Sequence, residues 1–167
     1  MSDLWAGVPP LLASHLGLVL VALACASLLA LPLAIVASTR PKLALVAVTG
    51  AGVVQTVPGL ALLALMVPIL AKTGVLSPFG FAPAAIALTL YAMLPILRNA
   101  ITGLAGVDPA VLEAARGIGM SPGQVMRQVR LPLAAPVIAA GVRTAAVWTV
   151  GAATLATPIG EPCLGNY

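Results

Sequence analysis

Charged residues are scarce in this 167-residue chain, at 7% of the sequence, and aromatic residues make up only 4%. Soluble globular domains carry about 25% charged residues. Hydrophobic residues reach 61% here, and the mean hydropathy is +1.13. This composition argues strongly against a water-soluble fold and favours a membrane-embedded protein. The formal net charge of +4 then bears on orientation in a membrane, and we expect no nucleic acid partner.

The chain also has few of the residues that active sites need. Its only lysines, Lys42 and Lys72, follow no glycine-rich loop of the kind that binds nucleotide phosphates. Its only histidine, His15, has no carboxylate or cysteine at metal-ligand spacing, and we interpret it as an interfacial residue near the outer surface. We therefore expect no catalytic residue, no metal site and no cofactor bound by this chain.

Long apolar runs predict membrane-spanning helices. A helix of ~20 apolar residues crosses ~30 Å of hydrocarbon and satisfies its own backbone hydrogen bonds. The predicted fold class is therefore an all-α membrane protein, a polytopic helical bundle forming a single domain over residues 1–167. Four transmembrane helices are expected, at about residues 11–37, 43–71, 81–102 and 133–157.

The distribution of basic residues predicts the orientation of these spans. If the long charged connection at residues 103–132 is cytoplasmic, alternation places the N-terminus and Lys72 outside and the Ser38–Lys42 connection inside. Six basic residues then lie inside and one outside, with Arg143 within a span, in agreement with the cytoplasmic bias of lysine and arginine in membrane proteins. The six are Arg40, Lys42, Arg98, Arg116, Arg127 and Arg130.

A proline interrupts the second predicted span near its middle. Pro58 follows Gln55 and Thr56 and precedes Gly59, and its missing backbone donor can kink or open a helix. A kink that packing tolerates is one interpretation. We favour a bend that lines a translocation path or its gate, because Gln55 and Thr56 add polar groups at the same depth.

Arg143 is the one basic residue expected well inside a span. It lies about eleven residues beyond Pro132, near the bilayer centre at ~1.5 Å per residue, where an unpaired cation costs roughly 2.5–3.5 kcal/mol. Contact with lipid is therefore disfavoured. Arg143 either pairs with carbonyl groups or a partner subunit, or faces the pathway. We favour pairing, because an arginine in the path would repel a cationic substrate.

A polar island precedes the last span. The chain has eight basic and four acidic residues, and five of these twelve lie in the segment from Asp108 to Arg130. Asp108-Pro109 is typical of a helix start, and Gly117 or Gly119 can end that helix. Ser121 and Gln124 have the spacing of a capping box, which predicts a second short helix up to Pro132. We expect a helix, a glycine turn and a helix lying along the membrane surface.

The same island carries a specific sequence pattern. Glu113-Ala114-Ala115 is followed by three residues, Gly119, nine residues, the aliphatic Val129, one residue and Leu131-Pro132. This spacing resembles the cytoplasmic loop by which permease subunits of ABC type I importers engage their ATPase. The alternative, an amphipathic helix that only anchors a loop, does not require these positions in register.

The resemblance implies that this segment holds a cytoplasmic coupling helix between spans 3 and 4, which transmits closure of an ATPase dimer to the permease. The positions that would couple are Glu113, Ala114, Ala115, Gly119, Leu131 and Pro132. ATP and magnesium would bind the partner ATPase, so this chain is not expected to be an enzyme.

Three further stretches narrow the resemblance to osmoprotectant permeases, which import glycine betaine, carnitine or choline. They are Gln55–Ala64, Tyr91–Asn99 and Gly141–Gly151. The likeness implies a multi-pass protein of the bacterial cytoplasmic (inner) membrane that contacts lipid, a second permease copy or homologue, and a periplasmic or lipid-anchored substrate-binding protein. High-affinity selection of the substrate is expected on that binding protein, because this chain has only six aromatic residues with which to build an aromatic cage for a cation. A fifth span is expected beyond Tyr167.

A competing interpretation is an ATP-independent secondary transporter or channel for a small solute. Such proteins usually need carboxylates within the membrane for ion coupling. None of the four acidic residues falls in a predicted span; they are Asp3, Asp108, Glu113 and Glu161.

Overall fold

The computed structural model describes the backbone of residues 2–166 and the side chains of residues 8–166, and this part of the chain is helical without strands. The α-helices are α1 (Ser2–Ala37), α2 (Pro41–Thr56), α3 (Gly59–Thr73), α4 (Phe81–Ala105), α5 (Pro109–Gly117), α6 (Pro122–Gln124) and α7 (Leu131–Ala153). A π-helical turn, Val125–Arg130, joins α6 to α7, and 3-10 turns follow at Thr154–Ile159 and Leu164–Asn166. The predicted all-α class is confirmed.

Helices α1, α4 and α7 form the centre of the bundle, and alanines let α1 approach α4 closely. Four alanines spaced four residues apart along α1 are 0% exposed: Ala22, Ala26, Ala30 and Ala34. Three of them, from Ala26 onward, pack in one cluster with Ala92, Ile96 and Ala100 of α4. Residues four apart share one helix face, and small side chains allow helix backbones to come near each other.

Glycines at the crossing of α7 and α4 allow these two helices to pack closely. A methyl group on Gly141 would lie 2.6 Å from the Cβ of Asn99 and 2.8 Å from the carbonyl oxygen of Pro95, which no real side chain tolerates without movement. On the other side, a methyl group on Gly103 of α4 would lie 3.0 Å from the Cβ of Val137. Both helices therefore need a residue without a side chain at their crossing.

The predicted second span, residues 43–71, is not one helix. It is divided into α2 and α3, which meet at an angle of 98°. Val57 is extended, with φ −75° and ψ 125°, because a residue before proline is pushed out of the helical conformation. Within residues 2–166, three helices are long and apolar enough to cross a membrane, and a fourth candidate span is present if the bent pair is counted as one.

The last helix begins earlier than predicted. The segment from Ser121 does not form a separate surface helix ending at Pro132, because α6, the π-helical turn, α7 and the first 3-10 turn form one continuous rod, Pro122–Ile159. The amide of Leu131 donates to the carbonyl of Met126 in π-type spacing. Pro132 therefore sits where the hydrogen-bond register is already changing, and its missing donor does not end the helix.

The connections assemble at two opposite ends of the bundle. Thr39, in the turn between α1 and α2, lines one cavity with Arg116 and Arg130. At the other end, the amide of Gly80 in the α3–α4 connection donates to the carbonyl of Ile159 at 2.8 Å. The structure thus places the Ser38–Lys42 and Asp108–Arg130 segments on the same side, as alternation predicts.

Candidate functional site

The segment around α5 is held in place by its own ends. The carboxylate of Asp108 accepts a hydrogen bond from the amide of Ala110 at 2.8 Å, so the predicted N-cap is present. At the other end Gly119 has φ +86°, and its amide donates to the carbonyl of Arg116 at 2.9 Å. The amide of Met120 donates to Ala115 at 3.1 Å, which completes a Schellman motif with Gly119 as the left-handed residue.

The capping box predicted at the start of α6 is also present. The Ser121 hydroxyl accepts from the amide of Gln124 at 3.4 Å, and the Gln124 side chain accepts from the amide of Ser121 at 2.8 Å. The Gly119 turn therefore passes directly into the rod that becomes α7. Helix α5 is therefore joined to the last helix by a short, hydrogen-bonded connection.

A small apolar core joins α5 to the beginning of the rod. Its buried members are Val107, Leu112, Ala115 and Val125, with Met120 and Val129 against them. Ala115, one of the positions expected to couple, is only 6% exposed and packs inward in this core. An exposed apolar strip runs along α5 to its C-cap residue and consists of Val111, Ala114 and Ile118.

The remaining residues of the expected coupling set, Glu113, Leu131 and Pro132, lie on α5 and at the start of α7. Glu113 is exposed beside the apolar strip, on the same helix. Arg116 lines a cavity of about 340 Å³ with Arg130 from the π-helical turn. Leu131 and Pro132 open α7 directly after that turn, half-buried and exposed respectively.

The break at Pro58 is fastened to α4. The side-chain amide of Gln55 donates to the carbonyl of Tyr91 at 2.8 Å, and the Tyr91 hydroxyl donates back to the carbonyl of Val57. These two bonds satisfy a carbonyl freed by the break and orient the Tyr91 ring. Thr56 donates to Val53 of its own helix at 2.7 Å and is exposed, as is Pro58.

Tyr91 is a residue that sequence reasoning did not assign to this site. The one available signal was a tyrosine within an aliphatic helix, because a buried phenol needs a hydrogen-bond partner. Its partner lies 34 residues earlier. That separation made the pairing invisible to any local pattern.

The outer face of α7 is open. Arg143 is exposed there, and it borders a groove of about 800 Å³ together with Thr144 and Trp148. A second cavity, of about 480 Å³, lies beside the groove, and Tyr91 and Trp148 both line it. The intramembrane charge therefore points away from the packed core of this chain.

His15 packs inside the bundle against α7. It is 1% exposed, with Nε2 3.1 Å from the carbonyl oxygen of Val150. In residues 2–166, no three histidine, cysteine, aspartate or glutamate residues are grouped to hold a metal.

Glu161 is buried at the opposite end of the molecule from α5. Its carboxylate lies close to Gly80, in the connection that leads into α4. Burial disfavours the charged form and raises the pKa of this carboxyl above its ordinary value.

Comparison with known proteins agrees with this architecture. The model of the family described as binding-protein-dependent transport system inner membrane component matches residues 26–167. The choline transport system permease protein OpuBB of Bacillus subtilis (strain 168) is 44% identical over 92% of this chain and 67% of its own length. The glycine betaine/carnitine/choline transport system permease protein OpuCB of the same organism is 46% identical, with the same coverage.

A solved structure shares the fold. Superposition on a chain from the MetNI methionine ABC transporter, in an inward-facing conformation, gives a TM-score of 0.86 over 99% of this chain and 80% of the other. At 23% identity this likeness concerns the fold alone. The family match and the relatives establish that this chain belongs to the binding-protein-dependent transport system inner membrane components. It is a membrane permease of the ABC type, and its relatives are transport subunits.

Proposed function

We propose that this chain forms the translocation path of an ATP-driven importer for a quaternary-amine osmoprotectant such as choline, glycine betaine or carnitine. The observation that carries the proposal is α5, a capped helix that keeps an apolar strip and Glu113 exposed at one end of a permease bundle. The substrate class rests on the relatives, which are described as choline and glycine betaine/carnitine/choline permeases.

The exposed strip on α5 suits an ATPase groove. Ile118 is 81% exposed, and Val111 and Ala114 lie on the same face at spacings of seven and four residues from it. Apolar residues at such spacing are how a helix docks into a hydrophobic groove. Glu113 supplies a charge beside the strip for pairing with that partner. An ATPase dimer carrying ATP and magnesium would contact one such helix from each of two permease chains.

The route from α5 to the membrane is short and stiff. The core around Leu112 and Val125 fixes α5 to the π-helical turn, and Leu131-Pro132 continues that turn into α7. Displacement of α5 by its partner would therefore be passed to α7 as a rigid-body movement. The Gly119 turn is the point where the two helices are joined.

The break at Pro58 supports a path or gate within the membrane. Gln55 and Thr56 end α2 beside it, and the 98° bend turns α3 away from the direction of α2. Discontinuous helices lie at substrate sites in many transporters, because freed backbone groups there face a cavity. We infer that this break borders the path.

Orientation follows from the same arrangement. Thr39, Arg116 and Arg130 share one cavity, so two of the basic connections lie at one end, which we assign to the cytoplasm with the N-terminus outside. Single cysteines at Gly106 and Ser77, in a background with Cys25 and Cys163 replaced, test this assignment. An impermeant thiol reagent should label Ser77→Cys in intact cells and spare Gly106→Cys, and equal labelling would contradict the orientation.

The direct test is uptake by the assembled transporter. The chain is expressed with an ATPase and a substrate-binding protein encoded beside it, purified and reconstituted into vesicles. Import of radiolabelled glycine betaine or choline should require ATP on the side of the vesicle membrane that the ATPase faces. Import without ATP would favour the secondary-transporter alternative, and absence of import for all quaternary amines would overturn the substrate class.

A further inference from the structure

Two of the six aromatic residues of the chain come together in one cavity. Tyr91 of α4 and Trp148 of α7 both line a space of about 480 Å³, although they are distant in sequence. The rest of the lining is small or aliphatic and includes Val147, Ala152 and Leu155. The faces of tyrosine and tryptophan rings attract cations, and they bind quaternary ammonium groups without hydrogen bonds.

The two rings differ in how they are held. Tyr91 is fixed, since its hydroxyl donates to Val57 at the break and its carbonyl accepts from Gln55. Trp148 is 58% exposed and projects from the open face of α7. A ligand between the rings would therefore touch both the last helix and the residue that fastens the broken span to α4.

A positive group lies in the adjoining groove. The groove of about 800 Å³ along α7 shares Val147 and Trp148 with the aromatic cavity, and it also contains Arg143 and Thr144. Arg143 precedes Trp148 by five residues, so the two lie ~7.5 Å apart along the helix axis and about 140° apart around it, at opposite edges of the groove that both line. The flexible arginine side chain can span much of that distance toward a ligand held at Trp148.

We propose that Tyr91, Trp148 and Arg143 form a transit site for zwitterionic quaternary ammonium compounds. The two aromatic rings hold the ammonium group, and the Arg143 guanidinium pairs with the carboxylate at the other end. This site rests on the proposed import function and adds to it a preference among substrates. The guanidinium, which would repel a purely cationic solute such as choline, attracts a betaine or carnitine carboxylate.

The arrangement accounts for the exposure of Arg143. An arginine within a span is costly against lipid, at roughly 2.5–3.5 kcal/mol. On the wall of a hydrated path it keeps water and gains a carboxylate partner from each passing solute. The site is open on one side, so it is suited to brief occupancy during transport.

The test uses the complete reconstituted transporter in vesicles of phosphatidylethanolamine and phosphatidylglycerol, which contain no choline headgroup. Initial uptake is measured against concentration for glycine betaine and for choline. If the wild-type complex imports neither, the proposed function fails. The transit site is judged only on differences between variants of a complex that does import.

Removing the aromatic ring should affect both substrates. Trp148→Leu should raise the half-saturating concentration about tenfold for glycine betaine and for choline alike. Trp148→Phe, which keeps a weaker ring, should give a smaller rise. Val150→Leu, at an exposed position of α7 outside both cavities, is the control and should leave both values unchanged.

Removing the positive charge should separate the two substrates. Arg143→Gln should raise the half-saturating concentration for glycine betaine about tenfold, leaving that for choline unchanged or lower. If Arg143→Gln alters both substrates equally, or Trp148→Phe and Trp148→Leu match the wild type, the site does not exist. Should Trp148→Leu fail to assemble, Trp148→Phe and Arg143→Gln still decide the matter.

A phospholipid with a choline headgroup presents the same ammonium group beside an anion. Adding phosphatidylcholine to the vesicles distinguishes this source from a free solute. Unchanged uptake supports a site for the transported solute. Inhibition of wild-type uptake that is absent in Trp148→Phe would show that the rings bind lipid instead, which would overturn the proposal.

Discussion

The central bundle and the elements around it are built from similar aliphatic residues but differ in how deeply they are packed. Helix α1 buries a column of alanines against α4, and α4 buries residues along its whole length. Helix α2 has no buried residue, and α5 buries only Leu112 and Ala115. Tight packing marks the scaffold, while α2 and α5 keep surfaces that this chain alone does not cover.

This difference indicates where substitutions should act. A change in the bundle alters close packing and should lower stability before it alters transport. A change at α5 or at the break alters a hinge or a contact and should lower transport while the fold persists.

The Gly119 turn should be the most sensitive position for activity. Gly119→Val puts a β-branched residue at φ +86°, a conformation that costs about 1–3 kcal/mol for side chains of this kind. The turn would then change its geometry and misplace α5. Substrate-stimulated ATP hydrolysis of the assembled complex should fall to the unstimulated rate, with membrane insertion intact.

Gly123→Ala serves as the control, because Gly123 has a negative φ and open space around it. It should keep full stimulation. If Gly119→Val keeps wild-type stimulation of ATP hydrolysis, this turn takes no part in coupling.

The α4–α7 crossing should be the most sensitive position for stability. Gly141→Ala forces a methyl group to within 2.6 Å of Asn99, so the helices must separate. We expect a loss of about 1–3 kcal/mol in the free energy of unfolding, as overpacking usually costs. Unfolding in detergent, followed by circular dichroism, measures it.

Gly50→Ala on the loosely packed α2 is the matched substitution. No atom lies within 4 Å of the added methyl group, and alanine favours the helix by up to about 1 kcal/mol. Gly50→Ala should therefore be neutral or stabilising. Equal losses in both variants would show that the two regions are packed alike.

The bond between Gln55 and Tyr91 tests the break itself. Gln55→Leu removes a donor to the Tyr91 carbonyl, a bond worth about 1 kcal/mol. Uptake of a quaternary amine should fall severalfold while assembly and ATPase binding persist. Val53→Leu, an exposed position on the same helix, is the control. If Gln55→Leu lowers the yield of assembled complex but leaves uptake per complex unchanged, Gln55 is a packing residue and the path lies elsewhere.

Glu161 should give the smallest effect, a pH dependence of stability. Because burial raises its pKa, the folded state holds the proton more tightly than the unfolded state. The favourable contribution of Glu161 to the free energy of unfolding is present below the ordinary pKa of 4.5, and it is lost as the pH rises through the raised pKa of the folded state. Glu161→Gln should therefore stabilise the protein more at about pH 8 than at about pH 5.

Thermal unfolding in detergent at the two pH values measures this effect. Glu113→Gln, which removes a carboxylate from the exposed face of α5, controls for the change in net charge. A gain at about pH 8 no larger than that at about pH 5 would contradict the assigned cause.

Local sequence signals succeeded where the determining interactions are local. The Asp108 cap, the Ser121–Gln124 capping box and the left-handed Gly119 each depend on residues within a few positions, and all three are present. The apolar run predicted as a span at about residues 11–37 likewise lies within one helix, α1. Local patterns could not show that Ala115 turns inward, because Val125, its neighbour in the small core, lies on another helix.

The sequence by itself determined that this is a helical membrane protein with a capped helix before its last span, because hydropathy and capping act over a few turns of chain. Only the tertiary structure decided that the second span breaks by 98°, that Tyr91 fastens that break, and that His15 is buried against α7. It also brought Tyr91 and Trp148 into one cavity beside Arg143. Each of these depends on contacts between helices distant in sequence, where packing and unpaired carbonyls, not local propensity, select the conformation.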